Sequence, residues 1–274
     1  MTCYRRDRVG EPGPGWEPGP RTVGWRHGPA DRDQVSARFE ELDWQSTPIG
    51  EISLRRRHDP AFNTEVFEVK LGDEYLMSSL FTAAEQELAT LALARLHGSS
   101  LEVAVGGLGL GYTAVAALDD DRVASMVIVE VLEPVIDWHR RGLVPSGSVL
   151  TSDPRCRFVS GDFIAMAVAG SGLDPQVPDR AFDAIIVDID HSPSQVLHPS
   201  HAALYTPDGL RLLARYLRPS GVFGLWSNDP PESGFTGALG QVFDQVDAEV
   251  VRFANPLQGR EATNTVYLAQ HRRG

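Results

Sequence analysis

A chain of 274 residues, 42% of them hydrophobic, is long enough for one full core, with or without a small appended unit, and too apolar for a disordered polymer. Its net charge of −12 argues against a general binder of nucleic acid or of anionic membrane surface, and no apolar run approaches the roughly 18 residues of a membrane span. Cys3 and Cys156 stand far apart, which excludes a disulfide framework and a CxxC metal pattern and makes a reducing cytoplasm the expected compartment.

Residues 1–35 read as a flexible tail. Roughly half of the stretch from Gly10 to Pro29 is glycine or proline, too little apolar surface to offset chain entropy. Its arginines lack the apolar stretch of a secretory signal. A small antiparallel β unit is expected over 36–80. Ile49 to Leu54 and Glu65 to Leu71 alternate in polarity, and Gly72-Asp73 makes a turn before Glu74 to Ser78. Arg55, Arg56 and Arg57 read as a solvated strand edge. Residues 81–274 are expected to form the cofactor-binding catalytic domain. It opens with a helix from the capping-box signature Thr82-Ala-Ala-Glu85 to about Leu96, stopped by Gly98.

Strands are then expected at 101–105, 126–131, 157–159, 182–188 and 222–226. Helices are expected from 111, from Pro134 to Arg141, at 207–217 and around 235–246. Alternating β and α elements imply a doubly wound, mostly parallel sheet with right-handed crossovers. The last two β runs, Ala248 to Phe253 and Thr263 to Ala269, have no helix between them, so one pairs antiparallel at the edge. The fold class is therefore α/β and Rossmann-like.

The apolar run from Leu101 ends in Gly106, Gly107, Gly109 and Gly111. Glu130 ends the next apolar run. A glycine turn followed about 20 residues later by an acid is the ribose half of a nucleotide site. Asp162 and Asp188 end two further strands. All three acids lie on the ligand side of an open α/β sheet. The dinucleotide pattern G-x-G-x-x-G fails, because Tyr112 stands at its last position. The G-x-G-x-G spacing of Gly107, Gly109 and Gly111 suits S-adenosylmethionine, which has no pyrophosphate to cradle. Glu130 is expected to hold the ribose hydroxyls, and Asp162 to accept from the adenine amino group.

From about Thr47 to Ala269 the sequence resembles the spermidine synthase family of S-adenosylmethionine-dependent transferases. The matching residues are Val69 to Glu74, Val105-Gly-Gly107, Val129-Glu130, Asp153-Pro-Arg155, Gly161-Asp162, Phe182-Asp183, Asp188 and Leu217 to Gly221. The resemblance implies a Rossmann-like methyltransferase fold preceded by a β unit, a small-molecule acceptor and an assembly of two or more copies. It departs at three places. The family's G-G-G-D-G loop holds a cationic donor amine with its Asp, and Gly109 stands at that position. The family's D-x-x-D-P segment is Asp188 to Pro193 here, with His191 at the second Asp and Asp190 displaced from it. The family's Tyr-His-Glu corresponds to Glu85-Gln86-Glu87.

These departures make a methyltransferase using S-adenosylmethionine the expected activity, with Asp188, Asp190 and His191 at the reaction centre. The first alternative is aminopropyl transfer from decarboxylated S-adenosylmethionine to an amine. The second is a non-catalytic nucleoside-binding protein. For His198 and His201 the competing reading is loop capping around Pro199. Trp226 either packs in the core or faces a cationic ligand. Asp188 or Asp190 with Asn228 or Asp229 also resembles a magnesium site of catechol-type O-methyltransferases. The Asn-Asp order is reversed from that pattern, so no metal is expected.

Overall fold

The computed structural model describes residues 39–271 except 258. The tail expected over 1–35 lies outside the described residues.

Two sheets organise the chain. The first is antiparallel in the order β1-β2-β3-β4, built from β1 (Phe39–Thr47), β2 (Gly50–Asp59), β3 (Thr64–Leu71) and β4 (Glu74–Ser78). The arginine run does not form an edge. It lies in β2, between β1 and β3, where Arg55 and Arg56 stand opposite Glu41 and Glu40. Opposite charges on facing positions pull together a strand with little hydrophobic signal of its own. Arg57 extends to Glu68 on β3 and to Asp59.

The second sheet has seven strands in the order β10-β11-β9-β8-β5-β6-β7. Its parallel members are β5 (Leu101–Gly106), β6 (Val123–Glu130), β7 (Cys156–Ser160), β8 (Phe182–Val187) and β9 (Leu217–Ser227). β11 (Arg260–Gln270) runs antiparallel to β9, and β10 (Gln245–Asn255) antiparallel to β11. The antiparallel edge thus forms from the two helix-free β runs, as their spacing implied. The central strands read as continuous apolar runs because helices cover both faces. Those helices are α1 (Ala83–Ala94), α2 (Tyr112–Leu118), α3 (Glu133–Arg140), α4 (Gly147–Ser152), α5 (Phe163–Ala169), α6 (Pro207–Ala214) and α7 (Ser233–Gly240).

Each face has its own core. Leu88, Ala92, Val103, Ile128 and Trp138 pack on one face, with Ile52, Leu54 and Val69 of the first sheet. Phe163, Phe182, Leu213 and Phe223 pack on the other. The first sheet therefore sits against the α1 and α3 side of the second, next to the carboxyl ends of the parallel strands. A hydrogen bond from Trp138 Nε1 of α3 to Asp43 Oδ2 of β1, 2.6 Å long, ties the first sheet to the helix layer of the second.

Candidate functional site

The glycine turn between β5 and α2 has reasons internal to the fold. Gly107 has a φ of +91°, and a Cβ there would lie 2.1 Å from the Asp188 carbonyl oxygen. The loops after β5 and β8 are thus pressed together by backbone, and the Asp188 N–H donates to the Gly106 carbonyl at 2.8 Å. Gly109 has a φ of +49°, and a Cβ there would meet Met77 Sδ at 2.9 Å. The position where the resembled family carries an acid is filled from outside by a thioether of β4. His139 Nε2 hydrogen-bonds the Gly109 carbonyl at 2.9 Å. Burial pushes the His139 imidazole down to about 4, so it is neutral and Nε2–H donates to that carbonyl.

Glu130 closes this turn from β6. Its Oε2 accepts from the Leu108 N–H at 2.9 Å and its Oε1 from the Leu132 N–H at 2.8 Å. Burial raises its pKa, and these backbone bonds work against the rise. The Gly109 and Val131 N–H groups also act on it, and since a carboxylate only accepts, a ligand group that it holds must donate. Asp162 caps α5. Its Oδ1 accepts from the Ala165 N–H at 2.9 Å, and its other oxygen is unengaged among the described residues.

Asp188 follows β8 and accepts from the Thr113 hydroxyl at 2.7 Å. Opposite it, from the first turn of α1, comes Glu85. The sequence assigned Glu85 to a capping box, but Thr82 makes no side-chain cap. Its hydroxyl instead accepts from Gln86 Nε2 at 2.9 Å. Glu85 lies within reach of the charge of Asp188. Burial, then the charge of Asp188, pushes its carboxyl up to about 8. Burial likewise raises Asp188, against the Thr113 bond. Both side chains lie deep yet keep contact with solvent. Neither has an ion-pair partner among the described residues. Tyr112 stands close enough to Glu85 to feel its charge and hydrogen-bonds the Ser79 side chain.

The other expected reaction-centre residues are placed differently. Asp190 is 3% exposed. Its Oδ1 accepts from the Leu197 N–H at 2.7 Å and the His201 Nδ1–H at 2.8 Å, and its Oδ2 from the Tyr205 hydroxyl at 2.7 Å. His191 Nε2 pairs with Glu74 Oε1 at 3.1 Å, joining the loop after β8 to β4. His198 caps the 3-10 turn Pro199–Ala203, its Nδ1 accepting from the Ser200 N–H. Trp226 shares a face of β9 with Gly224, whose missing side chain admits Leu88 and Ala92 of α1. The Trp226 indole N–H is buried without a partner. Asn228 bonds Asn264, and Asp229 bonds Gln195. Among the described residues no group of three or more His, Cys, Asp or Glu side chains is disposed to hold a metal ion, and no helix is long and apolar enough to cross a membrane.

No family model matches the chain. A polyamine aminopropyltransferase of Nitrosomonas europaea is 28% identical over 184 residues, covering 65% of this chain. The chain spans about half (53%) of that relative's length. A spermidine synthase solved with the transition-state analogue AdoDATO superposes with a TM-score of 0.65 at 19% identity, over 85% of this chain and 74% of its own. The spermidine synthase of Thermotoga maritima gives 0.63 at 18% identity, over 85% and 73%. At such identities the solved structures show the fold. The resemblance carried by the motifs is thus matched in sequence and in architecture. The expectation of a methyltransferase is corrected, because the relative and the structural neighbours are named for aminopropyl transfer and spermidine synthesis. The three departures carried that expectation, and they left out that α1 brings an acid, Glu85, within reach of the charge of Asp188.

Proposed function

We propose that this chain is an aminopropyltransferase-type enzyme that joins the aminopropyl group of decarboxylated S-adenosylmethionine to a small cationic amine. The observation that carries the reading is the pair Glu85 and Asp188. Two deep carboxyls act on one another's charge with no ion-pair partner among the described residues, and an ammonium group satisfies both. Methyl transfer to a neutral acceptor has no use for such a pair.

The residues present suit the nucleoside. Gly106, Gly107, Gly109 and Gly111 form a backbone turn, Glu130 lies beneath it as an acceptor for ribose hydroxyls, and Asp162 offers an oxygen at the start of α5. When bound, the donor supplies a carbon made electrophilic by its sulfonium. The chain's own part is to deliver a neutral amine. Asp188 accepts a proton from the acceptor ammonium, and its raised pKa brings the carboxylate closer to the amine in basicity. The freed nitrogen lone pair forms the new C–N bond as the C–S bond breaks, leaving a neutral thioether. Glu85 remains beside the amine and offsets its charge. Thr113 holds Asp188 in orientation. His191 and Glu74 close the loop after β8 onto β4.

Calorimetry with decarboxylated and intact S-adenosylmethionine, followed by a diamine assay for 5′-methylthioadenosine release, tests the reading. Preference for the decarboxylated donor with amine-dependent release is the expected result. Preference for the intact donor, or no release with any diamine, overturns it.

A further inference from the structure

The network around Asp190 has no part in the proton transfer just described, yet it is among the most fully bonded polar clusters of the chain. An ionised Asp190 only accepts, so Leu197 N–H, His201 Nδ1–H and the Tyr205 hydroxyl all donate to it. This fixes the His201 ring with hydrogen on Nδ1 and turns Nε2 away from Asp190. The His201 side chain is 13% exposed, and Nε2 has no partner among the described residues. The 3-10 turn that carries His201 packs against α5. Asp162, the cap of α5, lies near enough to act on the charge of His201.

We propose that His201 recognises the adenine base of the nucleoside, donating from Nε2 to a ring nitrogen beside the amino group that Asp162 accepts. This rests on the nucleoside reading of the site. Adenine presents an amino donor flanked by the acceptors N1 and N7, so a complementary surface needs an acceptor and a donor side by side. Asp162 spends Oδ1 on the Ala165 N–H and keeps its other oxygen. His201 supplies the donor when its ring is protonated. The groups facing it are Asp190 from the end of β8, Asp162 from the cap of α5, His198 on its own turn with ring centroids 5.9 Å apart, and Tyr205 through Asp190. The hydrogen bond to Asp190 raises the imidazole pKa, burial opposes the rise, and the charges of Asp190 and Asp162 add to it. The donor form is thus present at lower pH and is lost as pH rises through this raised value. A 6-oxopurine sets an acceptor against the Asp162 carboxylate and is rejected.

The test uses 5′-methylthioadenosine and its 1-deaza and 7-deaza analogues, with calorimetry on the wild type, His201→Ala and His201→Gln at about pH 6 and about pH 8.5. The wild type is expected to lose about tenfold in affinity for one of the two analogues, the size of one charge-assisted hydrogen bond. His201→Ala is expected to bind the parent nucleoside correspondingly weakly and to lose nothing further on that analogue. His201→Gln, whose amide donates at any pH, is expected to restore the discrimination without its pH dependence. Thermal melting of each variant separates loss of contact from loss of fold. Equal discrimination by the wild type and His201→Ala, or identical pH profiles, overturns the role of His201 and leaves the nucleoside reading standing. No binding of 5′-methylthioadenosine by the wild type overturns both.

Discussion

Glu85 places a carboxyl where hydration is poor and a second carboxyl faces it. Its pKa is pushed above the ordinary 4.5 to about 8. The contribution of this raised group to stability is full below about 4.5 and is lost as pH rises toward 8. Above that range two like charges act on one another. Glu85→Gln is therefore expected to stabilise the ligand-free protein at high pH by roughly 1–2 kcal/mol, after solvent access is allowed for. The same change is expected to weaken diamine binding about tenfold. Melting curves at about pH 6 and pH 9 check the first claim, since the gain must be larger at the higher pH, and calorimetry with a diamine checks the second. Asp188→Asn removes the proton acceptor and keeps a partner for Thr113. Its expected effect is a drop of roughly 10²–10⁴-fold in turnover with little change in nucleoside affinity. An unchanged rate at saturating amine would remove Asp188 from the chemistry.

At the scale of elements, the glycine turn is bounded by β4 as much as by its own strand. Gly109 adopts a left-handed backbone with Met77 Sδ 2.9 Å from where a Cβ would stand. Asp tolerates that backbone conformation better than most residues, so the obstacle to an acid here is Met77. Gly109→Asp alone is expected to destabilise the fold and weaken donor binding. Combined with Met77→Ala, it is expected to bind decarboxylated S-adenosylmethionine more tightly than Met77→Ala alone, which calorimetry reads directly. This contact was invisible in sequence, because it joins a strand of the first sheet to a loop of the second unit. The central strands were legible, since burial on both faces leaves continuous apolar runs, and so were the acids that end them. β1 was not, because Glu40 and Glu41 of β1 pair with Arg56 and Arg55 of β2 by charge rather than by hydropathy. α5 was also passed over, although Asp162 caps its start and Gly170 ends it in a left-handed conformation. The role of Glu85 was hidden by a capping signature that the helix does not use.

For the whole molecule, the site depends on how the first sheet is held against the second. β4 supplies Met77 to the glycine turn and Glu74 to His191, so a loosened first sheet disturbs the site at both places. A second polar link, besides the Glu74–His191 pair, runs from Asp43 of β1 to α3. Asp43 accepts from Trp138 Nε1 at 2.6 Å and from Gln45 Nε2 at 2.8 Å, with Arg141 3.5 Å away. Trp138 is fully buried, so Asp43→Ala leaves an indole N–H without an acceptor in the core. The expected cost is about 1–3 kcal/mol. Asp43→Asn keeps an acceptor and is expected to cost less at neutral pH. Burial tends to raise the Asp43 pKa, but the bonds from Trp138 and Gln45 and the charge of Arg141 outweigh it and hold it below 3.8. A lowered carboxylate pKa gives stability that is present above the unfolded value and lost as pH falls through the folded one. The gap between wild type and Asp43→Asn is therefore expected to narrow from pH 7 to about pH 3. Chemical unfolding followed by tryptophan fluorescence at the two pH values measures that gap. A constant gap would mean that the carboxylate charge of Asp43 takes no part in joining the sheets.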